Sequence, residues 1–367
     1  LIRSKKIRTI LSVNFGLYLV LADNSSINSG IQSVKTVTLI KTLAFVSLLT
    51  LYALTMSCTD TSSSTNIDFT NENESRVLVT DNEQYQSVTH NSNFTITSRL
   101  CEDEQGPDCT KLRLGDDYHT TFAPQKGYLY SCNEKNPNAP GSIEAKITWI
   151  DFVGNVWDFL KKPWLPEGKF TTETGIYAET VSIEERQINI NNLPVDGKIG
   201  DWPITNYPTL SGIDRNPGIP NSTQSEFTYP TSPSKASSPT CVSLGAIGVT
   251  KNGVVIFNAA DGRGEDAVAR EIVDVFGGHP ARDQYHYHFI PERLDNEYLS
   301  DGHSGIVGYI NDGFPIYGYR GEGGIEMSNA DLGLCHGHSH GKLGYHYHAT
   351  LEYPYTVGCY IGNPIQN

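Results

Sequence analysis

The sequence predicts a mainly β protein with a short helix and long loops, and at its centre a compact, disulfide-supported β domain that carries one tetrapeptide strand twice. Three observations predict it. Gly (34), Pro (19) and Tyr (20) are abundant while Met is 2, a balance of turn formers and strand-favouring aromatics over helix formers. Tyr-His-Tyr-His stands at 285–288 and again at 345–348, and alternation of that kind has the period of a strand. Six cysteines follow the amino-terminal region, an even number that reads as up to three disulfides in an exported chain. The 367 residues suffice for one large domain or two modest ones. A net charge of -14 argues against a nucleic-acid partner, which would want a basic face. It fits solubility, or attraction of cations.

Export is read from residues 41–56. Lys35 and Lys41 precede the apolar run Leu43 to Met56, about the length of a signal-peptide core. The only methionines are Met56 and Met327, so a start near Val34 is expected, with residues 1–33 a spurious or untranslated upstream segment. The run ends at Ser57-Cys58. A small residue before a Cys there resembles the bacterial lipoprotein signal, in which that Cys is lipidated. A simple cleaved leader is the alternative, and an uncleaved anchor is third because the run is short for a span. Thr59 to Asn73 is polar and has little to bury, as a tether would be. The membrane is then met only through an amino-terminal lipid anchor. The chain works in the cell envelope or as a secreted protein.

The remaining cysteines are Cys101, Cys109, Cys132, Cys241, Cys335 and Cys359. Spacing alone leaves their pairing open. Cys101–Cys109 would close a short loop around Gly106-Pro107, and Cys335–Cys359 would clasp the second tetrapeptide. Cys132 would then remain for Cys241. No pair has the two-residue spacing of a zinc knuckle.

Short strand-like runs occur at Arg76–Val79 and Phe94–Thr97, then at Ile143–Trp157, Val181–Ile183 and Ile188–Ile190. Asn136 to Gly141 is a breaker. Residues 191–240 form a loop layer or a meandering edge. The clearest hairpin is Leu244–Val249, the turn Lys251-Asn252-Gly253, and Val254–Phe257. Gly264 to Phe276 predicts the one real helix, with Asp266 near its start and Ala269, Ile272, Val273 and Phe276 on one face. The expected organisation is a leader over 34–57, a tether over 58–75, a small Cys-containing β module over 76–140, and the tetrapeptide domain over 141–362.

Nine of the 11 histidines lie between 279 and 348. In each tetrapeptide strand the histidines at i and i+2 share a face and the tyrosines take the other. Gly278-His279 precedes the first motif, and Gly337-His338 precedes the second at almost the same distance, which reads as an internal duplication. With the two strands side by side, His286, His288, His346 and His348 would share one face. His279 and His338 would close over it from their loops, and His303 would join as a further candidate ligand. Neutral imidazole is the commonest ligand for zinc and suits copper. Asp283, Asp301 and Asp312 could accept from the far ring nitrogens. A polar core of structural histidines, or metal-free acid–base catalysis, would use the same residues. Cys335-His336-Gly337-His338-Ser339-His340 could be an exposed metal-scavenging tract. Asp312-Gly313-Phe314-Pro315-Ile316-Tyr317-Gly318 reads first as a tight turn with a rigid exit and second as chemistry beside the histidine face.

These residues resemble the YHYH domain family. The resemblance runs over about 180–362, through Gly248–Val254, Asp261-Gly262-Arg263, Gly277-Gly278-His279, Gly302 to Gly308, Asp312 to Gly318, and Tyr345 to Thr350 with Tyr353 to Cys359. It implies an exported chain and supplies identity more than activity. Family members often carry a Cys before the Gly-Gly-His and another after the first motif. Val275-Phe276 and Glu292-Arg293-Leu294 stand there instead, which implies one disulfide fewer.

Three functions are compatible with this sequence. The first is an extracytoplasmic domain binding copper or zinc through its duplicated histidines. The second is a metal-dependent hydrolase or oxidase with an open position at three histidines. The third is a glycan- or protein-binding module in which the histidines are structural. His-Glu-x-x-His is absent.

Overall fold

The computed structural model describes residues 9–13, 16–20, 77–78, 87–90, 93–96, 98–102, 106–168 and 173–365. The expected leader, Cys58 and the tether lie outside the described residues. Among the described residues no helix is long and apolar enough to cross a membrane. The chain divides into two units, Leu1–Asp68 and Phe69–Asn367. In the first, Thr9–Val13 pairs antiparallel with Gly16–Val20.

The second unit is mainly β. Its three-stranded antiparallel sheet is β1 (Tyr177–Val181), β2 (Glu185–Ile190) and β3 (Ser225–Pro230). Its main sheet has eight strands: β4 (Ala246–Thr250), β5 (Val255–Phe257), β6 (Gly278–Ala281), β7 (Gln284–Tyr287), β8 (Ile306–Ile310), β9 (Pro315–Tyr317), β10 (Gly337–His340) and β11 (Gly344–His348). Their order is β6-β7-β5-β4-β8-β9-β11-β10. Read outward from the antiparallel β4–β8 contact, the halves match. Each has a hairpin (β4–β5, β8–β9). Its second strand runs parallel to a tetrapeptide strand (Val255 beside His286, Ile316 beside Tyr347). Each tetrapeptide strand in turn pairs antiparallel with its Gly-His strand (His279 beside His286, His338 beside His346).

The duplicated unit is therefore a four-stranded half-sheet, larger than the tetrapeptide and its loop. Its hairpins carry Gly248, Gly253 and Ile256 in one half and Gly308, Gly313 and Ile316 in the other. The turn glycines Gly253 and Gly313 adopt φ of 80° and 85°, a region costly for any residue with a Cβ. Glycine before His279 and His338 has a packing reason. A Cβ on Gly278 would enter the Tyr285 ring, and one on Gly337 would meet Tyr345 and the His346 carbonyl.

Tyrosine alternates with histidine because the two faces differ. Tyr285, Tyr287 and Tyr347 are buried in the large apolar core with Ile256, Ile316 and Phe289. Their hydroxyls are all partnered: Tyr285 donates to Asp274 at 2.7 Å, Tyr347 to Asp312 at 2.6 Å, and Tyr287 accepts from Arg293 at 2.9 Å. A buried phenol so satisfied keeps its apolar gain without an unpaired polar atom. On the opposite face Val249, Val255 and Tyr309 pack against Ile188, Ile190, Phe227 and Tyr229 of the three-stranded sheet.

Several elements differ from expectation. The helix over Gly264–Phe276 shrinks to Ala267–Arg270, capped by Asp266, whose side chain accepts from the Ala269 amide. Glu271 is already extended, and the Ile272 amide donates to Asp214 at 2.8 Å, so tertiary partners outbid the helical pattern. The Ile143–Trp157 run splits into a 3-10 turn at Glu144–Lys146 and two-residue strands at Ile150–Asp151 and Val156–Trp157. Ile183 lies in an exposed turn between β1 and β2. The segment expected as a separate module over 76–140 shares its core with the rest: Leu100, Leu112, Leu114 and Leu129 pack in the same cluster as Tyr285 and Tyr347.

The disulfides are Cys101–Cys109, Cys132–Cys241 and Cys335–Cys359. Three such bonds befit an oxidising compartment. Cys132–Cys241 closes the longest loop, a separation of 109 residues. Replacing both of its cysteines by Ala should cost about 4–5 kcal/mol in urea unfolding, from loop entropy returned to the denatured chain. The same change at Cys101–Cys109 should cost less.

Candidate metal centres

The two tetrapeptide strands do not lie side by side. Four strands separate them, so at about 4.8 Å per strand they stand roughly 24 Å apart across the sheet. The expected single four-imidazole face is replaced by two clusters, one per half, because each tetrapeptide pairs with its own hairpin and its own Gly-His strand. His279, His286 and His288 form one group, and His303, His338, His346 and His348 the other. Within each group the nearest ring nitrogens all lie within 4.8 Å of one another, so each could hold a metal ion.

Both clusters repeat the same local construction. In the first, Nε2 of His288 is 3.1 Å from Nε2 of His286 and 3.1 Å from Nε2 of His279. In the second, Nε2 of His346 is 3.1 Å from that of His338 and 3.2 Å from that of His303, and His338 and His348 stand 3.2 Å apart. These spacings are close to the edge of a tetrahedron drawn around a metal with bonds of about 2.0–2.1 Å, which is about 3.3 Å. An aromatic ring backs each cluster at a matching hairpin position. Phe257 stacks on His286 with centroids 3.9 Å apart, and Tyr317 lies 4.5 Å from His346.

The far nitrogens decide the protonation pattern. His288 Nδ1–H donates to the Asn258 carbonyl, and its counterpart His348 Nδ1–H donates to the Gly318 carbonyl at 2.7 Å. His286 does the same to Gln284 at 3.2 Å, His346 to Gly344 at 3.1 Å, and His303 to Ser304 at 2.7 Å. A carbonyl can only accept, so in each of these neutral rings the proton is on Nδ1 and Nε2 carries a lone pair. His286 and His288 thus turn two lone pairs toward each other, as do His303 and His346. A cation between the nitrogens would relieve that repulsion.

Burial opposes protonation as the source of that cation. It drives His279, His286 and His348 well below the usual imidazole range, with repulsion among neighbouring rings adding to the effect. It takes His288 to about 4 and His346 to about 3. The consequence for stability has a definite sign. The unfolded chain takes up protons on these rings below about pH 6.5. The folded one does not until near 4 and 3. The contribution of these rings to the stability of metal-free protein should therefore fall from about pH 6.5 downward, by on the order of 3 kcal/mol for His288 alone, as the difference in urea stability between wild type and His288→Asn at pH 7 and at pH 4 will register.

The carboxylates anticipated behind the rings act elsewhere, since backbone carbonyls hold the far nitrogens. Asp312 accepts from Tyr347 and from the Gly362 amide at 2.9 Å, so its turn is structural. Asp283 is exposed at the β6–β7 turn. Asp301 accepts from the His303 amide at 2.9 Å and lies 3.2 Å from the His340 ring, at the rim of the second cluster. His336 does not belong to an exposed tract. It is buried, has a φ of 68°, and its Nε2 lies 3.0 Å from Thr350 Oγ1.

Two features of the first cluster escaped sequence reasoning. Glu271 faces it, with Oε2 at 3.5 Å from His279 Nε2 and 3.8 Å from His288 Nε2. Burial pushes its carboxyl well above the usual range, and the neighbouring Asp214 and Asp261 push it further. Behind it, fully buried Lys162 donates to the Glu271 carbonyl at 2.6 Å and sits between the Trp149 and Trp164 rings; burial lowers it to about 7. The expected long helix hid Glu271, because a helical residue there would be one more polar position on a surface face. Matching the two hairpins by their glycines would have shown that each tetrapeptide belongs to a separate half.

Residues 226–332 match the model of the family described as YHYH protein. The matched stretch contains the first tetrapeptide and His303 and stops short of the second, so it is narrower than the 180–362 expected. No curated protein and no solved structure matches the chain.

Proposed function

Residues 226–332 carry a YHYH domain, and from that premise we propose that the protein is an extracytoplasmic metal-binding protein holding two transition-metal ions, copper or zinc, one in each half of its main sheet. The observation that carries this reading is the facing of imidazole lone pairs at 3.1–3.2 Å in both clusters. A divalent cation relieves that repulsion, and neutral imidazole Nε2 suits copper and zinc alike. The carbonyl partners of the far nitrogens are the kind of outer support that fixes ligand tautomer and ring orientation. A module with purely structural histidines would pair each lone pair with a donor, and His286 and His288 do not do so with each other. Export through a leader ending at Ser57-Cys58, with or without a lipid on Cys58, accords with the three disulfides.

Elemental analysis of protein purified without a histidine tag should give about two metal ions per chain, from the two groups of ligands. His286→Ala should lose one ion and His346→Ala the other. The double variant should retain neither while still being expressed. Wild-type metal content in the double variant would sink the assignment.

A further inference from the structure

The two centres share a construction but differ in what completes them. His303, His338, His346 and His348 offer four nitrogens, a full tetrahedral set. His279, His286 and His288 offer three, and all three line a cleft of about 790 Å³. The origin of the difference is visible in the repeat. Ala246 pairs with Phe257 as Ile306 pairs with Tyr317, so the residues before each hairpin also correspond. Ser243 then stands where the other half has His303. The two residues that follow it, Leu244 and Gly245, line the cleft. The fourth ring is missing on the side where the molecule opens.

The cleft is of a size that accepts an organic molecule. Ile143, Leu244, Phe257 and Pro280 give it apolar wall, and its charged lining is balanced, three arginines (Arg215 and Arg282 exposed) against three carboxylates. Glu271 borders the metal position, 3.5 and 3.8 Å from two ring nitrogens, but it does not join the group whose ligand atoms all lie within 4.8 Å of one another.

Resting on the metal reading above, we propose that the three-histidine centre is an open-sided metal site that takes an organic anion from the cleft. An anionic oxygen occupies the position that His303 fills in the other half, and the apolar body lies along Phe257 and Leu244. The four-histidine centre has its four positions filled by rings, His338 half-buried among them, and takes no outside ligand.

Cobalt(II) substitution tests this. The chain is loaded with cobalt, its stoichiometry is measured, and azide is titrated while the visible spectrum is followed. Straight-chain carboxylates from acetate to octanoate come next. Azide should change the bands of one of the two cobalt ions. His346→Ala should keep that response and His286→Ala should lose it. Ser243→His, at an exposed position, should supply the fourth ring and abolish the response with two cobalt ions still bound. Carboxylate affinity should rise about fourfold for each added CH₂ that reaches the apolar wall. Two bound cobalt ions with no azide response would overturn the proposal, and so would a response that survives Ser243→His. A flat carboxylate series would overturn the organic-anion assignment. A chain that binds no cobalt would refute the metal reading itself, a result distinct from all of these.

Discussion

On the two-metal reading proposed above, stripping the metal with a chelator is expected to lower the thermal midpoint by more than about 10 °C. A ligand that binds only the folded state stabilises it by about 4 kcal/mol when present at a thousand times its dissociation constant, and there are two sites. Each kcal/mol moves the midpoint of a domain this large by roughly 2 °C. The physical source lies in the rings. Without a cation, His286 faces His288 and His303 faces His346 with lone pairs opposed inside buried pockets. Relief by protonation is costly there, because burial has already driven these imidazoles down. The measurement is a pair of melting curves at pH 7, with metal content determined on the same samples. Superimposable curves from loaded and metal-free protein would mean that the clusters are not strained in the way described.

The second large effect is expected at Asp274, which touches no histidine. Its buried carboxylate accepts from the Gly200 amide at 2.7 Å, Trp202 Nε1 at 3.2 Å, the Phe276 amide at 2.9 Å, the Gly278 amide at 3.1 Å and the Tyr285 hydroxyl at 2.7 Å. One side chain thus ties the loop that enters β6 to the first tyrosine of the tetrapeptide. Asp274→Ala would strand five donors in a dry core, and a stability loss of about 4–5 kcal/mol should follow. Asp274→Asn keeps the shape and part of the acceptor capacity and should lose less. Urea unfolding separates the two. A loss under about 1 kcal/mol for the Ala variant would mean that water or a rearranged loop satisfies those donors. Because Gly278 and Tyr285 flank His279 and His286, the Ala variant should also weaken metal retention at the first centre more than at the second.

The tetrapeptide's alternation was legible without a structure, since period two follows from backbone geometry and places the histidines of each strand on one face whatever the strand packs against. So were the β4–β5 hairpin, whose Asn252-Gly253 turn is local chemistry, and the disulfide count. Glu271 was not legible, because the helical pattern of 264–276 is real in the sequence. It yields only to contacts with Asp214 and Asp274 that are distant in the chain or depend on its path.

What the residues decided unaided is the local part: two Tyr-His-Tyr-His strands, each with a Gly-His partner close enough in the chain to form a hairpin with it. Where those strands stand relative to each other was decided by pairing between distant segments. Both tetrapeptides had equal claim to a common neighbour on periodicity alone. The β4–β8 contact set the two hairpins back to back and sent the tetrapeptides to opposite flanks of the sheet, because each found its parallel partner in its own hairpin. The same long-range pairing gave the far nitrogens of His288 and His348 to the carbonyls of Asn258 and Gly318, which no side-chain pattern announces.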